Sequence, residues 1–110
     1  MSKQTQDGWQ QFHLDEIVKK VEGNDPRCHE FLHVRSMSMA FYRLPKGAKV
    51  MQSPHLEDEI YLVVESKATL MVNGKEQEAS KGAILFVAAN TPHTFFDIKE
   101  DLTVLASFGS

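Results

Sequence analysis

Two hydrophobic periods divide this chain. In LDEIVKKV, residues 14–21, Leu14, Ile17, Val18 and Val21 stand at i, i+3, i+4 and i+7. That spacing places them on one face of a short α-helix. Gly23 and Pro26 follow as helix-stopping residues. Ahead of the helix, residues 1–11 (MSKQTQDGWQQ) are polar and predict a loosely attached arm. After Pro26 the pattern changes. FLHVRSMSMAFYRLP alternates in places, with Phe31, His33, Arg35, Met37, Met39 and Phe41 at one parity, and LPKG punctuates it. EIYLVVES is rich in β-branched and aromatic residues. In ATLMVNGKEQEA an alternating strand meets Asn73-Gly74, suited to a type I′ turn, and then a polar strand. GAILFVAA, HTFFDIK and DLTVLASF complete the series, with Pro, Gly and Asn between strands roughly every ten residues. This spacing predicts an all-β sandwich or barrel behind a short N-terminal helix.

The totals narrow the partners more than the fold. A chain of 110 residues suffices for one domain whose core needs no disulfide or metal staple. Apolar residues make up 42% and charged residues 25%, an ordinary globular balance. A net charge of −3 without any basic run or helix-turn-helix segment argues against nucleic acid or an anionic membrane as partner. The longest apolar stretches are about five residues, far short of the ~20 of a membrane-spanning helix. The polar start lacks the apolar stretch of a secretory leader. The single cysteine, Cys28, forms no internal disulfide, which fits a reducing cytosol. A small buried hydrophobe or a reactive thiol are its two readings. A soluble, cytoplasmic protein is expected.

Candidate chemistry sits at the mouth of one strand. His55, Glu57, Asp58 and Glu59 crowd together just before the apolar run Ile60-Tyr61-Leu62-Val63-Val64. They form either a solvated acidic turn or part of a cation site. On one straight strand His55 and Glu59 share a face, yet four residues hold them about 13 Å apart. Two donors on one cation stand about 3 Å apart. A shared ion therefore requires the chain to reverse at Leu56-Glu57-Asp58, so the stretch predicts strand, tight reversal, strand. A helix capped by Ser53-Pro54 is the competing reading, and the β-branched run after Glu59 counts against it. Downstream, in GAILFVAANTPHTFFD, a strand runs into Asn90-Thr91-Pro92 and His93 opens the next one.

These two segments together resemble the cupin family. Its first motif is Gly, five residues, His-x-His, three or four residues, Glu, six residues, Gly. Here Gly47, five residues, Ser53-Pro54-His55, three residues, Glu59, six residues and Ser66 follow that spacing. The second motif is Gly, five residues, Pro-x-Gly, two residues, His, three residues, Asn. Gly82, five residues, Ala88-Ala89-Asn90, two residues, His93, three residues and Asp97 follow it in turn. The fifteen residues 67–81 between them match the spacing of small microbial cupins. Departures are Ser53 for the first histidine, Ser66 for a glycine, Ala88-Ala89-Asn90 for Pro-x-Gly, and Asp97 for Asn. Asn90 still tolerates a positive φ.

The resemblance implies a cupin β-barrel (jelly roll) over residues 27–110, with residues 1–26 as arm and helix. It implies a divalent metal held by His55, Glu59 and His93, with Ser53 in place of a fourth ligand. Two histidines and a carboxylate leave several positions open on an octahedral ion and suit Fe(II), Mn(II), Ni(II) or Zn(II). The reaction classes open to such an ion are oxygenase, isomerase or lyase, and Glu59 and Tyr61 are the candidate catalytic groups. Each ligating imidazole needs an acceptor on its other nitrogen, for which Glu57 and Asp97 are sequence neighbours. Gln52 is a further donor if the register slips by one. Parity turns Tyr61, Val63 and Phe95 inward, and Phe95 and Ser53 are candidate substrate contacts. His33 and Arg35 are candidates for a substrate carboxylate at the barrel mouth. A metal-dependent enzyme on a small organic molecule is one reading. A non-catalytic small-ligand-binding module with a weak or empty metal site is the other. A homodimer is also implied by the resemblance, and edge pairing is a general means of covering open strands.

Overall fold

The computed structural model describes residues 8–22, 27–48, 50–52 and 56–109. A helix α1 (Leu14–Lys19) precedes β1 (Arg27–His33), β2 (Met37–Leu44), β3 (Val50–Gln52), β4 (Asp58–Glu65), β5 (Lys67–Val72), β6 (Lys75–Ser80), β7 (Ile84–Val87), β8 (His93–Phe96) and β9 (Leu102–Gly109). Two antiparallel sheets result, one ordered β1-β2-β9-β4-β7 and the other β3-β8-β5-β6. From β2 onward the chain mostly alternates between the sheets. That is the jelly-roll arrangement, and the all-β expectation is met.

Period-two alternation decides which side chains meet. On β4, Glu59, Tyr61 and Val63 are buried, while Ile60 is exposed. On β9, Leu102, Val104 and Ala106 point the same way, toward the second sheet. They join Leu70 and Phe95 in a core between the sheets. The opposite face of the five-stranded sheet has a core of its own. Phe31 and Phe41 are buried there with Ile17 and Val21, and Phe12 packs edge-on to Phe31 at 4.9 Å between ring centroids. Each such side chain contributes ~1.5–3 kcal/mol on burial. Tertiary packing, not helix propensity, therefore holds the six-residue α1 in place.

Turn chemistry follows the residues. Asn73 and Gly74 have φ of 49° and 78°, the paired positive values of the expected type I′ turn. Ser66 has φ of 69° and Asn90 φ of 61°. Both stand where the family spacing has glycine, and the left-handed backbone persists without it. At Ser66 the hydroxyl donates to the Glu100 carbonyl at 3.2 Å.

Several expectations are corrected. Leu14 is 48% exposed; of the expected stripe Ile17 and Val21 are buried and Val18 is half-buried, and the helix ends at Lys19. Gly23 and Pro26 lie outside the described residues. The strands expected on either side of the acidic stretch are β3 and β4, which join different sheets: β3 pairs with β8 and β4 with β9 and β7. The parity running from Phe31 to Phe41 is broken by a bulge between Glu30 and Leu32 and by the bend at Arg35-Ser36. Phe31 and Phe41 face α1, not the barrel interior. Cys28 is exposed, not buried.

We expect Phe41→Ala, which empties a fully buried site, to cost ~3–5 kcal/mol in urea unfolding. Ser66→Gly should raise stability by ~1 kcal/mol or less, since relief of the left-handed backbone outweighs one exposed hydrogen bond.

Candidate functional site

Glu59 and Tyr61 are two residues apart on β4, so the strand delivers both to the barrel interior. His93 opens β8 in the opposite sheet. All three are sealed from solvent, with Glu59 1%, Tyr61 0% and His93 4% exposed. Asp58 clasps the two motifs, its Oδ1 accepting the Ala89 N–H at 2.8 Å. The acidic run thus divides between an inward carboxylate and a structural one. Edge-on packing of Phe95 against Tyr61, with centroids 5.3 Å apart, fixes the phenol ring.

The three polar groups converge on one another. The Tyr61 hydroxyl donates to Glu59 Oε2 and its oxygen lies 2.9 Å from His93 Nε2. Glu59 Oε1 stands 3.5 Å from the same nitrogen. On the far side of the ring, His93 Nδ1 is 2.8 Å from the Thr91 carbonyl. A carbonyl only accepts, so Nδ1 carries the hydrogen and Nε2 is left to face Glu59 and Tyr61. That is the orientation a metal-binding imidazole takes. Burial, followed by the hydrogen bond to Glu59 and that carboxylate's charge, pushes the Tyr61 phenol far above its ordinary range. Tyr42 on β2 is also pushed up, by burial first, then by Cys28, and further by the charges of Glu59 and Glu30. The Cys28 thiol, on a residue that is exposed as a whole, is raised by partial loss of water around its sulfur and then by the Glu30 charge, against the lowering effect of its hydrogen bond with Tyr42.

The expected residues divide as follows. His55 and Ser53 lie outside the described residues. Among the described residues, no group of three or more His, Cys, Asp and Glu side chains is placed to hold a metal ion. What they bring together is Glu59 and His93. Their 3.5 Å separation is close to the ~3–3.5 Å between two donors on bonds of about 2.1 Å, so this pair fits a shared cation. Phe95 is buried against Tyr61 as parity required. His33 and Arg35 are exposed. They line a surface cleft of about 330 Å³ with Ser36, Met37, Glu57 and Phe108. The register His33–Ser38–Phe108–Glu59 puts this cleft at the same end of the barrel as the buried cluster. His33 Nδ1 also pairs with Glu30 at 3.5 Å.

Glu57 and Asp97 are exposed, and the Thr91 carbonyl takes the His93 nitrogen instead. No residue type signals a carbonyl in sequence, so that contact had no visible marker. Tyr42 was missed for another reason. Its place on the inward face of β2 shows only once the pairing Tyr42–Val104 is known.

Comparison with known proteins agrees with the fold. The family model described as "Cupin domain" matches residues 40–108. An uncharacterized protein of Streptomyces coelicolor is 37% identical over 97 residues, 88% of this chain and 92% of that one. The chain belongs to the cupin family. Among solved structures, a cupin superfamily protein from Desulfitobacterium hafniense has a TM-score of 0.73 at 15% identity, over 81% of each chain. A DMSP lyase from Ruegeria pomeroyi gives 0.73 at 16%, over 77% of this chain and 47% of that one. A salicylate 1,2-dioxygenase variant from Pseudoaminobacter salicylatoxidans, in complex with gentisate, gives 0.75 at 12%, over 86% and 31%. At these identities the likeness is one of fold.

The raised tyrosines have a measurable consequence. Below pH 10 both phenols are neutral in folded and unfolded chains alike. Above it, unfolded chains ionise at about pH 10 while the folded protein does not. We therefore expect no tyrosinate absorbance between pH 9 and 11 in the folded protein. Stability should fall as pH rises over that window, by about 1.4 kcal/mol in total from Tyr61 alone.

Proposed function

We propose that this cupin binds one divalent metal ion through Glu59 and His93, with His55 as third ligand, and acts as a metal-dependent enzyme on a small organic molecule. The observation that carries this reading is the buried contact of Glu59 with His93 Nε2 at 3.5 Å, the other ring nitrogen being committed to Thr91. A buried carboxylate beside an imidazole calls for a positive charge between them, and a cation meets that need as a proton does. Fe(II), Mn(II), Ni(II) and Zn(II) suit the donor set. When bound, the ion supplies Lewis-acid polarisation or open positions for oxygen ligands, chemistry compatible with an oxygenase, an isomerase or a lyase.

The chain's own residues have distinct parts in this reading. Tyr61, held as a neutral phenol, donates its proton to a substrate oxygen. Glu59 holds the Tyr61 hydroxyl in position and shares the cation. Phe95 walls the site. Ser53, where the family pattern has a histidine, is a candidate substrate contact. His33 and Arg35 take a carboxylate at the cleft. The partner is a small molecule, not nucleic acid or membrane, and the protein works as a cytoplasmic homodimer.

A non-catalytic small-ligand-binding barrel with a weak or empty metal site is the second reading. It is favoured by one observation: the Tyr61 hydroxyl already donates to Glu59, so the carboxylate has a partner without a cation.

Elemental analysis of protein purified without added metal or histidine tag tests the first reading. Near one equivalent of metal is expected, with affinity lowered at least tenfold in His93→Ala. Protein that takes up none of the four ions would end it. Tyr61→Phe should keep its metal and lose 10²–10⁴-fold in turnover, whereas binding without any turnover selects the second reading.

A further inference from the structure

We infer that the cleft beside the β1–β2 connection binds a small zwitterion, a molecule that carries a carboxylate and a cationic group on one short apolar body. The inference rests on the carboxylate assigned above to His33 and Arg35 and adds the second charge; it is independent of the metal.

The cleft, of about 330 Å³, is lined both by the β1–β2 connection and by the segment that leads into β4. It holds charges of both signs. Arg35 stands on the bend between β1 and β2, and Glu57 stands just ahead of β4. Both are exposed, and neither has an ion pair among the described residues. His33 is already paired with Glu30 at 3.5 Å, so Arg35 is the cation a ligand finds uncommitted. Phe108 and Met37 give the cleft its apolar surface. Ser38 adds a polar contact. It is only 9% exposed, and its hydroxyl makes no hydrogen bond among the described residues. No fully buried side-chain oxygen there lacks a partner, so this one is open to the cleft.

Register ties the cleft to the buried cluster. His33, Ser38, Phe108 and Glu59 form one row across β1, β2, β9 and β4. Neighbouring strands stand ~4.8 Å apart, so a ligand seated on Phe108 lies one strand from Glu59. The two unpaired charges then select its chemistry. A simple anion gains from Arg35 and meets the like charge of Glu57; a simple cation meets the reverse. A zwitterion is attracted by both, and an aromatic ring such as Phe108 is a further partner for its cationic end. Water and salt screen exposed charges, so discrimination between matched ligands, more than affinity, is the signature.

Amide NMR titration of the full isotope-labelled chain near pH 7, where both ligand charges are present, tests this with matched probes. Phenylalanine is compared with hydrocinnamate, which lacks its amine, and phenethylamine, which lacks its carboxylate. β-Alanine is compared in the same way with propionate and ethylamine. At least one zwitterion is expected to shift the Ser38 and Phe108 amides and to bind about tenfold more tightly than both of its partners. Arg35→Gln should lower its affinity to that of the amine, and Glu57→Gln to that of the acid, with the fold kept by circular dichroism. Lys75→Gln on β6 should change nothing. If neither zwitterion shifts these amides up to ~50 mM, or if Lys75→Gln weakens binding as much as Arg35→Gln, the inference is overturned. Acid and zwitterion binding equally overturns it too, while equal loss of both in Arg35→Gln leaves the carboxylate contact standing. Metal content decides the metal reading separately.

Discussion

A carboxylate taken out of water is the constraint around which this barrel is arranged. Left alone, a buried Glu59 would be prohibitively costly. Two partners from two sheets make it tolerable: the Tyr61 hydroxyl from its own strand and the His93 ring from across the interior. Each partner is itself held. Thr91 fixes the imidazole, Phe95 fixes the phenol ring, and the Asp58 clasp on Ala89 ties the start of β4 to the loop that leads into β8. The site is thus a consequence of how the two sheets are joined as much as of the residues it contains.

The family pattern survives here as backbone shape more than as residue identity. Ser66 and Asn90 replace glycines and still adopt positive φ. Asn adopts this conformation more readily than most residues, and Ser gains a hydrogen bond from it. Two cores divide the remaining work. One lies between the sheets and surrounds the site; the other lies under α1 and braces the outside of the five-stranded sheet.

Shared fold does not single out a reaction. A lyase and a dioxygenase both superpose on this barrel, because the jelly roll supplies a rigid interior and leaves chemistry to the few side chains placed in it. What distinguishes this chain lies in its own particulars: a phenol beside the two buried donors, and a cleft with basic and acidic groups near the same barrel end.

Local pattern by itself determined the strand content, the Asn73-Gly74 turn and the inward facing of Glu59, Tyr61, Val63 and Phe95, because alternation and turn propensity act over a few residues. It marked Glu59 and His93 as partners through motif spacing. Only the tertiary structure decided which sheet each strand joins, that Phe31 and Phe41 pack under the helix and Leu14 does not, and that a backbone carbonyl orients His93. Those outcomes depend on contacts between residues far apart in the chain, on one bulge and on atoms common to every residue. None of these leaves a periodic trace in sequence.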